Sequence, residues 1–590
     1  MKRMNLNIKA FAGWVAVFSF TALILGSCKH YLDLNPVSSF GPDAVFGTVE
    51  NAQKAVLGAY QDLAGDNGYG IRISMYFPYD NDCMMGAGGH GDGDRRDISR
   101  YNVTASNAQL YNPFNRLYQG IENANQCIKY IPQMDLYANG TEAQKGELKR
   151  LYGEALTLRA QYFFELVRNW GDVPAEWAPS SDLPDLFLEK TDRDSIYDHI
   201  LDDLATAEEL VPWRSGVTAL GDAIDERITK GAVKGLRARI ALFRGGYSLR
   251  RGSDKMERNA DYLTYYKIAD TECASIISSG EHALDPSYED LWRNQVDAHQ
   301  IDPYGEIIFE VAMGGATSTT DSKLGKYNGP GGSLTILPGY FYMFDSTDTR
   351  RDVTIAPYKI NSDNSLTAVG LNSLYDGKFR RNWFSNPSVD ISNAAQTFGI
   401  NWPILRYSDI LLMYAETQNE LNNGPTQPAI AAYKQVRDRA FNNKDPEDVP
   451  TTKDAFFDAL VKERALEFGT EGIRKYDLIR WNLLSSKLAA TKAELAAMSE
   501  GTAPFDKLPQ KMYYIPGSST TDINWANSFY TAAPGTTPSG TTGVNWIGSS
   551  ILSGNLQYFA EGFKDGHSEL LPIPQAAIDA NPKLKQDYGY

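Results

Sequence analysis

Residues 141 to 172 read TEAQKGELKRLYGEALTLRAQYFFELVRNWGD, and Leu148, Leu151, Tyr152, Ala155, Leu158, Tyr162, Phe163, Leu166 and Trp170 recur every three or four positions along them. That period places them on one stripe of an α-helix. Thr141 and Gln144 are spaced as a capping box at its start, and Gly171 followed by Pro174 is a stop. Arg159 sits among apolar neighbours, so its stem packs while its guanidinium pairs with a carboxylate or with helix-end carbonyls.

Outward from this helix the same period returns. TKGAVKGLRARIALF (229 to 243) keeps Gly231, Ala232, Gly235 and Ala238 on a side thin enough for a neighbouring helix to approach closely. Further helices are expected at 195–210, 408–422, 428–441, 452–468 and 473–484. Several form pairs across short turns, with Ala or Gly facing a bulky partner. That is the recipe of tetratricopeptide-like hairpins, although no ~34-residue period is present. Between about 285 and 401, and again from about 498 to 566, Gly, Ser, Thr, Asn and Pro with scattered aromatics replace the apolar period, as in GGATSTTDSKLGKYNGPGGS (314 to 333) and TAAPGTTPSGTTGVNW (531 to 546). Such long loops either carry binding residues or merely cover helices.

The N-terminus has Lys2, Arg3 and Lys9 ahead of a 16-residue apolar run from Ala10 to Leu25. This is a signal peptide, shorter than the ~20 residues of a membrane span. Leu25, Gly26, Ser27 and Cys28 follow it and resemble a lipobox, which implies cleavage before Cys28 and acylation of it. Acyl chains anchor at ~0.8 kcal/mol per buried methylene, so two or three of them tether firmly. Removing residues 1 to 27 takes away three basic side chains and no acidic ones, leaving 563 residues with 54 Lys plus Arg against 73 Asp plus Glu, a net charge of −19. Nucleic acid and anionic lipid need a basic stripe, so both are disfavoured as partners. Cys83, Cys127 and Cys273 allow at most one disulfide. The 34 Tyr, 25 Phe and 10 Trp favour half-exposed rings with a polar tip in water.

Motifs for chemistry are weak. GAGGHG (86 to 91) matches G-x-G-x-x-G, but neither a strand-like run before it nor an amphipathic helix after it is expected. Asp92, Asp94 and Asp97 lack the bidentate glutamate of an EF-hand, leaving only a looser calcium site open. The six histidines are scattered singly, with no HExxH and no Cys/His cluster, so a catalytic zinc is not expected, no residue is assigned as a metal ligand, and no cofactor is expected. No nucleophile elbow or P-loop occurs. Acid pairs abound, which leaves a two-carboxylate glycosidase open, though most lie on helix faces as solvated charge.

Seven blocks in order carry a resemblance: CKHYLDLNP (28–36), EALTLRAQYFFELVRNWGDVP (154–174), TDRDSIYDHILDDLATAEELVP (191–212), KGAVKGLRARIALF (230–243), PILRYSDILLMYAETQNEL (403–421), VKERALEFGTEGIRKYDLIRW (461–481) and LLPIPQAAIDANPKLKQDYGY (570–590). The chain resembles the SusD/RagB family of Bacteroidetes surface lipoproteins. Glu463, Arg464, Glu467, Glu471 and Arg474 in the sixth block are spaced for an ion-pair network between helices, a scaffold role.

The resemblance implies a mainly α fold with a tetratricopeptide-like scaffold and irregular ligand-binding loops, divided as signal peptide 1–27, N-terminal region 28–225 and C-terminal region 226–590. It implies a non-catalytic lipoprotein of the outer membrane that hands an oligosaccharide, or in RagB-like members a peptide, to a SusC-like TonB-dependent transporter. Transferred onto this chain, the family's ligand platform falls on Tyr69, Tyr76, Arg95, Arg96 and Tyr101, and on Trp292, Tyr327, Asn328 and Trp383. The first loop has no tryptophan, unlike starch-binding members, and Arg95 and Arg96 suit an acidic sugar or a carboxylate.

Overall fold

The computed structural model describes residues 41–86, 94–222, 225–315, 320–385, 398–517 and 521–590. Cys28 and the signal peptide lie outside these residues, as do Asp92 and the side chain of Asp94.

The scaffold is built from α1 (Val49–Gln61), α2 (Ala108–Tyr130), α3 (Glu142–Trp170), α4 (Arg193–Ala207), α5 (Lys230–Arg244), α6 (Tyr262–Ser279), α7 (Tyr407–Leu421), α8 (Gln427–Ala440), α9 (Lys453–Phe468), α10 (Arg474–Arg480) and α11 (Leu484–Glu500). Most pack on their neighbours in sequence: α3 lies against α2 and α4, α5 against α4 and α6, and α7 against α6 and α8 and also against α9. The capping box at α3 is present, with Thr141 Oγ1 accepting from Gln144 N–H at 3.3 Å and Gln144 Oε1 from Thr141 N–H at 2.9 Å. Thr48, Thr229 and Thr426 cap α1, α5 and α8 in the same way, each taking up a donor that the helix leaves orphaned. Where α2 crosses α3, a Cβ on Gly120 would lie 2.4 Å from the Tyr162 ring. Only glycine permits that approach.

Three expectations need correction. The thin side of α5 receives more than helices: a Cβ on Gly235 would lie 2.2 Å from Leu405, which belongs to a strand, and one on Gly231 would lie 2.4 Å from His282. The expected helix 473–484 ends at Arg480, because Asn482 adopts a left-handed conformation (φ +58°) and breaks the spiral before α11 begins. The stretch 285–401 is not without regular structure. It contains the buried strand Ile307–Val311 and several shorter ones, and four helices (α1, α2, α6 and α11) were not expected at all.

Among the strands, those that join distant segments or border the cleft beside α11 are β1 (Met84–Gly86), β2 (Ile307–Val311), β3 (Leu334–Ile336), β4 (Trp402–Arg406), β5 (Lys511–Ile515), β6 (Asn524–Trp525) and β7 (Thr542–Asn545). β1 pairs antiparallel with β3, β2 with β4, and β5 lies between β6 and β7. The main hydrophobic core runs from Ala52 to Leu584 and takes in both helices and irregular stretches, with smaller separate clusters around Leu249 and Tyr358.

Arg159 pairs as expected, with both Asp203 carboxylate oxygens at 2.9 and 2.8 Å, and it also donates to the Trp177 carbonyl at 3.2 Å. The charges of the sixth block do form a network: Arg464 meets Asp477 within the block and Asp409 outside it, and the other partners come from elsewhere. Glu463 meets Arg350 and Arg437, Glu467 meets Arg350, Arg406 and Arg439, Glu471 meets Lys378 and Arg406, and Arg474 meets Asp82. Burial opposes ionisation of Glu467, and its three guanidinium neighbours outweigh that and hold the carboxyl far below the usual range. Cys83, Cys127 and Cys273 are buried free thiols.

Candidate functional site

β1 and β3 bring the two candidate regions together. Met84 faces Ile336, Met85 faces Thr335 and Gly86 faces Leu334, joining the loop after Tyr69 to the Gly-rich stretch around Tyr327. Lys323 N–H donates to the Gly70 carbonyl at 3.0 Å, and Lys323 Nζ pairs with Asp66, tying the same two segments a second time.

On this seam the Arg95 guanidinium lies 5.9 Å from the centre of the Tyr76 ring and 5.5 Å from that of Tyr327, and Arg95 Nη1 reaches the Tyr76 hydroxyl at 3.4 Å. Lys326 Nζ approaches Tyr327 at 5.4 Å. Both ring faces carry negative potential that attracts the cations. Arg95 and Tyr327 are half-buried while Tyr76 is 5% exposed, so Tyr327 supplies the accessible ring and Tyr76 the backing. Three of the nine candidates thus meet in one cluster, and Lys326, absent from them, joins it. Its position beside Tyr327 in a glycine-rich run was the available signal.

Arg95 is carried on a helical turn, Asp94–Ser99, whose exit is locked. Arg100 donates to Asp80 and, through Nη2, to the Gly86 carbonyl at 2.7 Å, while Gly86 N–H donates to Asp80 Oδ1 at 3.1 Å. Asp80 Oδ2 also accepts from Ala560 N–H at 2.9 Å, and its carbonyl accepts from the Tyr101 hydroxyl. Asp80, Tyr101 and Ala560 all have positive φ (+51°, +62° and +44°), a conformation held only where surrounding bonds over-determine it.

The remaining candidates sit elsewhere. Tyr69 is 3% exposed, and its hydroxyl bonds to Glu165 and accepts from Gln161 at 2.6 Å, so it is a core residue of the α3 junction. Tyr101 packs edge-on against Phe563 at 5.1 Å and faces Lys475 at 4.5 Å. Trp292 is fully buried between Tyr288 and Phe379, with Lys378 at 4.7 Å from its ring. Asn328 has no exposed surface, and its amide lacks a hydrogen-bond partner among the described residues. None of these four offers a face to a ligand in this structure. Arg96 shares the turn with Arg95 and is already engaged. Trp383 is half-buried with the Arg380 guanidinium 4.1 Å from its ring, and it has no ring contact with the Arg95 cluster among the described residues.

The glycine motif at 86–91 has context after all, since β1 leads into it and the turn 94–99 follows it. β1 pairs antiparallel in a two-stranded ladder, whereas a dinucleotide unit needs a parallel sheet and a full helix. Residues 87–91 themselves lie outside the described residues. No group of three or more metal-ligating side chains occurs among the described residues.

The structure is thus a mainly α scaffold with an aromatic and cationic cluster at a loop seam. The chain belongs to the SusD/RagB family: the SusD family model matches residues 339–590, and a second model, described as starch-binding associating with outer membrane, matches residues 31–242. It is similar to SusD-like protein P25 of Formosa agariphila, 24% identical over 513 residues that cover 80% of this chain and 90% of that protein. Its fold is similar to that of a SusD homolog from Bacteroides thetaiotaomicron, with a TM-score of 0.73 at 22% identity over 92% of this chain and 98% of that one. Surface glycan-binding protein A from Bacteroides fluxus superposes with a TM-score of 0.62 at 19% identity, covering 92% of this chain and 99% of that one.

Proposed function

We propose that this protein captures an oligosaccharide nutrient at the cell surface and delivers it, chemically unchanged, to a SusC-like TonB-dependent transporter, while acyl chains on Cys28 hold it on the outer membrane. The observation that carries the binding role is the placement of Arg95 between Tyr76 and Tyr327 on the β1–β3 seam. A sugar presents an apolar CH face ringed by hydroxyls. Tyr327 takes the face, and Arg95 with Lys326 donates to the rim. Stacking that buries ~200 Å² of apolar surface gains about 5 kcal/mol gross. Lost motional freedom and desolvated hydroxyls offset much of this, so binding is reversible, as transfer to a pore requires.

The glycan-binding name of the Bacteroides fluxus relative and the description of the second family model support this reading. The absence of a membrane-crossing helix among the described residues is compatible with a lipid tether. The pair of cations also favours a carboxylate-bearing ligand, which a uronic sugar or a peptide C-terminus would supply. A glycan array probed beside a peptide library separates the two. Retention of peptides with no glycan retained would overturn the oligosaccharide assignment, and release of cleaved products would overturn the non-catalytic one.

A further inference from the structure

A cleft of about 710 Å³ opens between the C-terminal end of α11 and the β6–β5–β7 sheet, within the second irregular stretch. Its size falls in the ~300–1,000 Å³ range of small-ligand sites. The floor is fixed by the backbone: Trp546 N–H donates to the Gln510 carbonyl at 2.9 Å, Ile547 N–H to Pro509 at 3.1 Å and Gly548 N–H to Met498 at 3.0 Å. Beneath it Trp546 is fully buried and donates from Nε1 to the Tyr342 hydroxyl at 2.7 Å. A floor so anchored needs no ordering when a ligand arrives.

Above this floor the side chains of Glu500, Asp506, Gln510, Lys511 and Asn545 line the cleft, and none of them has a hydrogen bond or ion pair with any other described residue. Together they offer carboxylate acceptors, an ammonium donor and two amides that do both. Hydroxyls, which donate and accept at once, match such a mixed set. Two carboxylates against one ammonium, beside the carbonyl end of a 17-residue helix, make the cleft unfavourable for anions. The Arg95 and Lys326 cluster has the opposite bias.

We propose that this cleft is a second carbohydrate site, separate from the Arg95 cluster and selective for a short uncharged oligosaccharide. The assignment takes from the proposed function only that the ligand is a glycan. The charge contrast then divides the labour: the first site tolerates acidic sugars and the second takes neutral ones.

The test uses the mature chain, screened by affinity electrophoresis in gels containing laminarin, starch, xylan or galactomannan, followed by calorimetry with an oligosaccharide cut from the retarding polymer. Gln510→Ala with Asn545→Ala removes two exposed, unpartnered side chains, so the melting temperature should not move. The expected result is two sites per chain in the native protein. The cleft variant should bind at one of them at least 10-fold more weakly, while Arg95→Ala leaves the cleft intact. Adding Asp506→Lys should admit a uronic oligosaccharide that the native cleft refuses. Stoichiometry of one that the cleft variant leaves unchanged overturns this proposal and leaves the Arg95 site standing. Loss of all binding in the cleft variant alone has the reverse meaning, and no retardation by any neutral polymer overturns the cleft outright.

Discussion

Arg100 donates through Nη1 to both carboxylate oxygens of Asp80, at 3.0 and 3.1 Å, and neither side chain is more than 2% exposed. Because Gly86 is bonded to the same pair, one buried ion pair closes the neck of the stretch from Gly86 to Arg100 that carries Arg95. Asp80→Ala leaves a guanidinium buried without its counter-charge, which costs ~3–5 kcal/mol. Urea denaturation should show that loss, and hydrogen exchange across 94–99 should quicken at urea concentrations where the fold persists. Exchange unchanged there would mean the pair stabilises the core without positioning the turn.

Arg95→Ala and Tyr327→Ala should each weaken glycan binding at the seam about 10-fold or more, the first because a hydrogen bond from a charged group contributes ~1.5–3 kcal/mol, the second because the stacked apolar area is lost. Both residues are half-buried, and melting temperatures should fall little. Calorimetry at two salt concentrations is informative for Arg95. Affinity for an acidic oligosaccharide that stays insensitive to both salt and this substitution would remove Arg95 from the site.

Burial raises the Asp376 carboxyl to about 7, and the hydrogen bond from Lys378 N–H and the Lys378 charge only partly oppose it. A raised carboxyl binds its proton more tightly in the folded than in the unfolded chain. Its contribution is therefore complete below pH ~4 and is lost as pH rises through about 7. At 1.36 kcal/mol per pH unit, the loss is on the order of 4 kcal/mol. Asp376→Asn should flatten this part of the stability profile, so that the variant gains on the native protein as pH rises from 4 to 8. Parallel profiles would show that Asp376 ionises normally.

Glu467 binds three guanidinium groups, at 3.0 Å to Arg350, 3.0 Å to Arg406 and 2.6 Å to Arg439, all buried. Glu467→Gln removes the shared anion and should cost ~3–5 kcal/mol. Equilibrium denaturation measures it, and a change below about 0.5 kcal/mol would show that the remaining carboxylates, Glu306, Glu463 and Glu471, suffice.

Metabolic labelling with a palmitate analogue should mark the native protein and leave Cys28→Ala unmarked. Label retained by the variant would place the acyl chain elsewhere.

Helices α3 and α5 were readable residue by residue because their information is local. In α3 an apolar repeat, a threonine cap and a closing glycine all lie within the element they define, and in α5 a side of small residues does. Arg159 was legible for the same reason, since a lone cation on an apolar stripe requires an acid, although Asp203 could not be named. α2 was hidden by its polar composition and by Pro113 in its second turn. Among the site residues, aromatic identity did not distinguish Tyr327, whose ring meets Arg95, from Trp292, which fills the core.

The chain's local patterns thus settled its class, the cap of α3 and the need for paired charges, because helix period and charge burial are obeyed within a few residues. Which ring faces solvent and where Arg95 comes to rest followed from the β1–β3 pairing and the Asp80 lock, and which acid meets which arginine from contacts such as Asp203 with Arg159 and Glu467 with Arg350. These join segments far apart in the chain, and only packing of the whole core selects among partners that look alike in sequence.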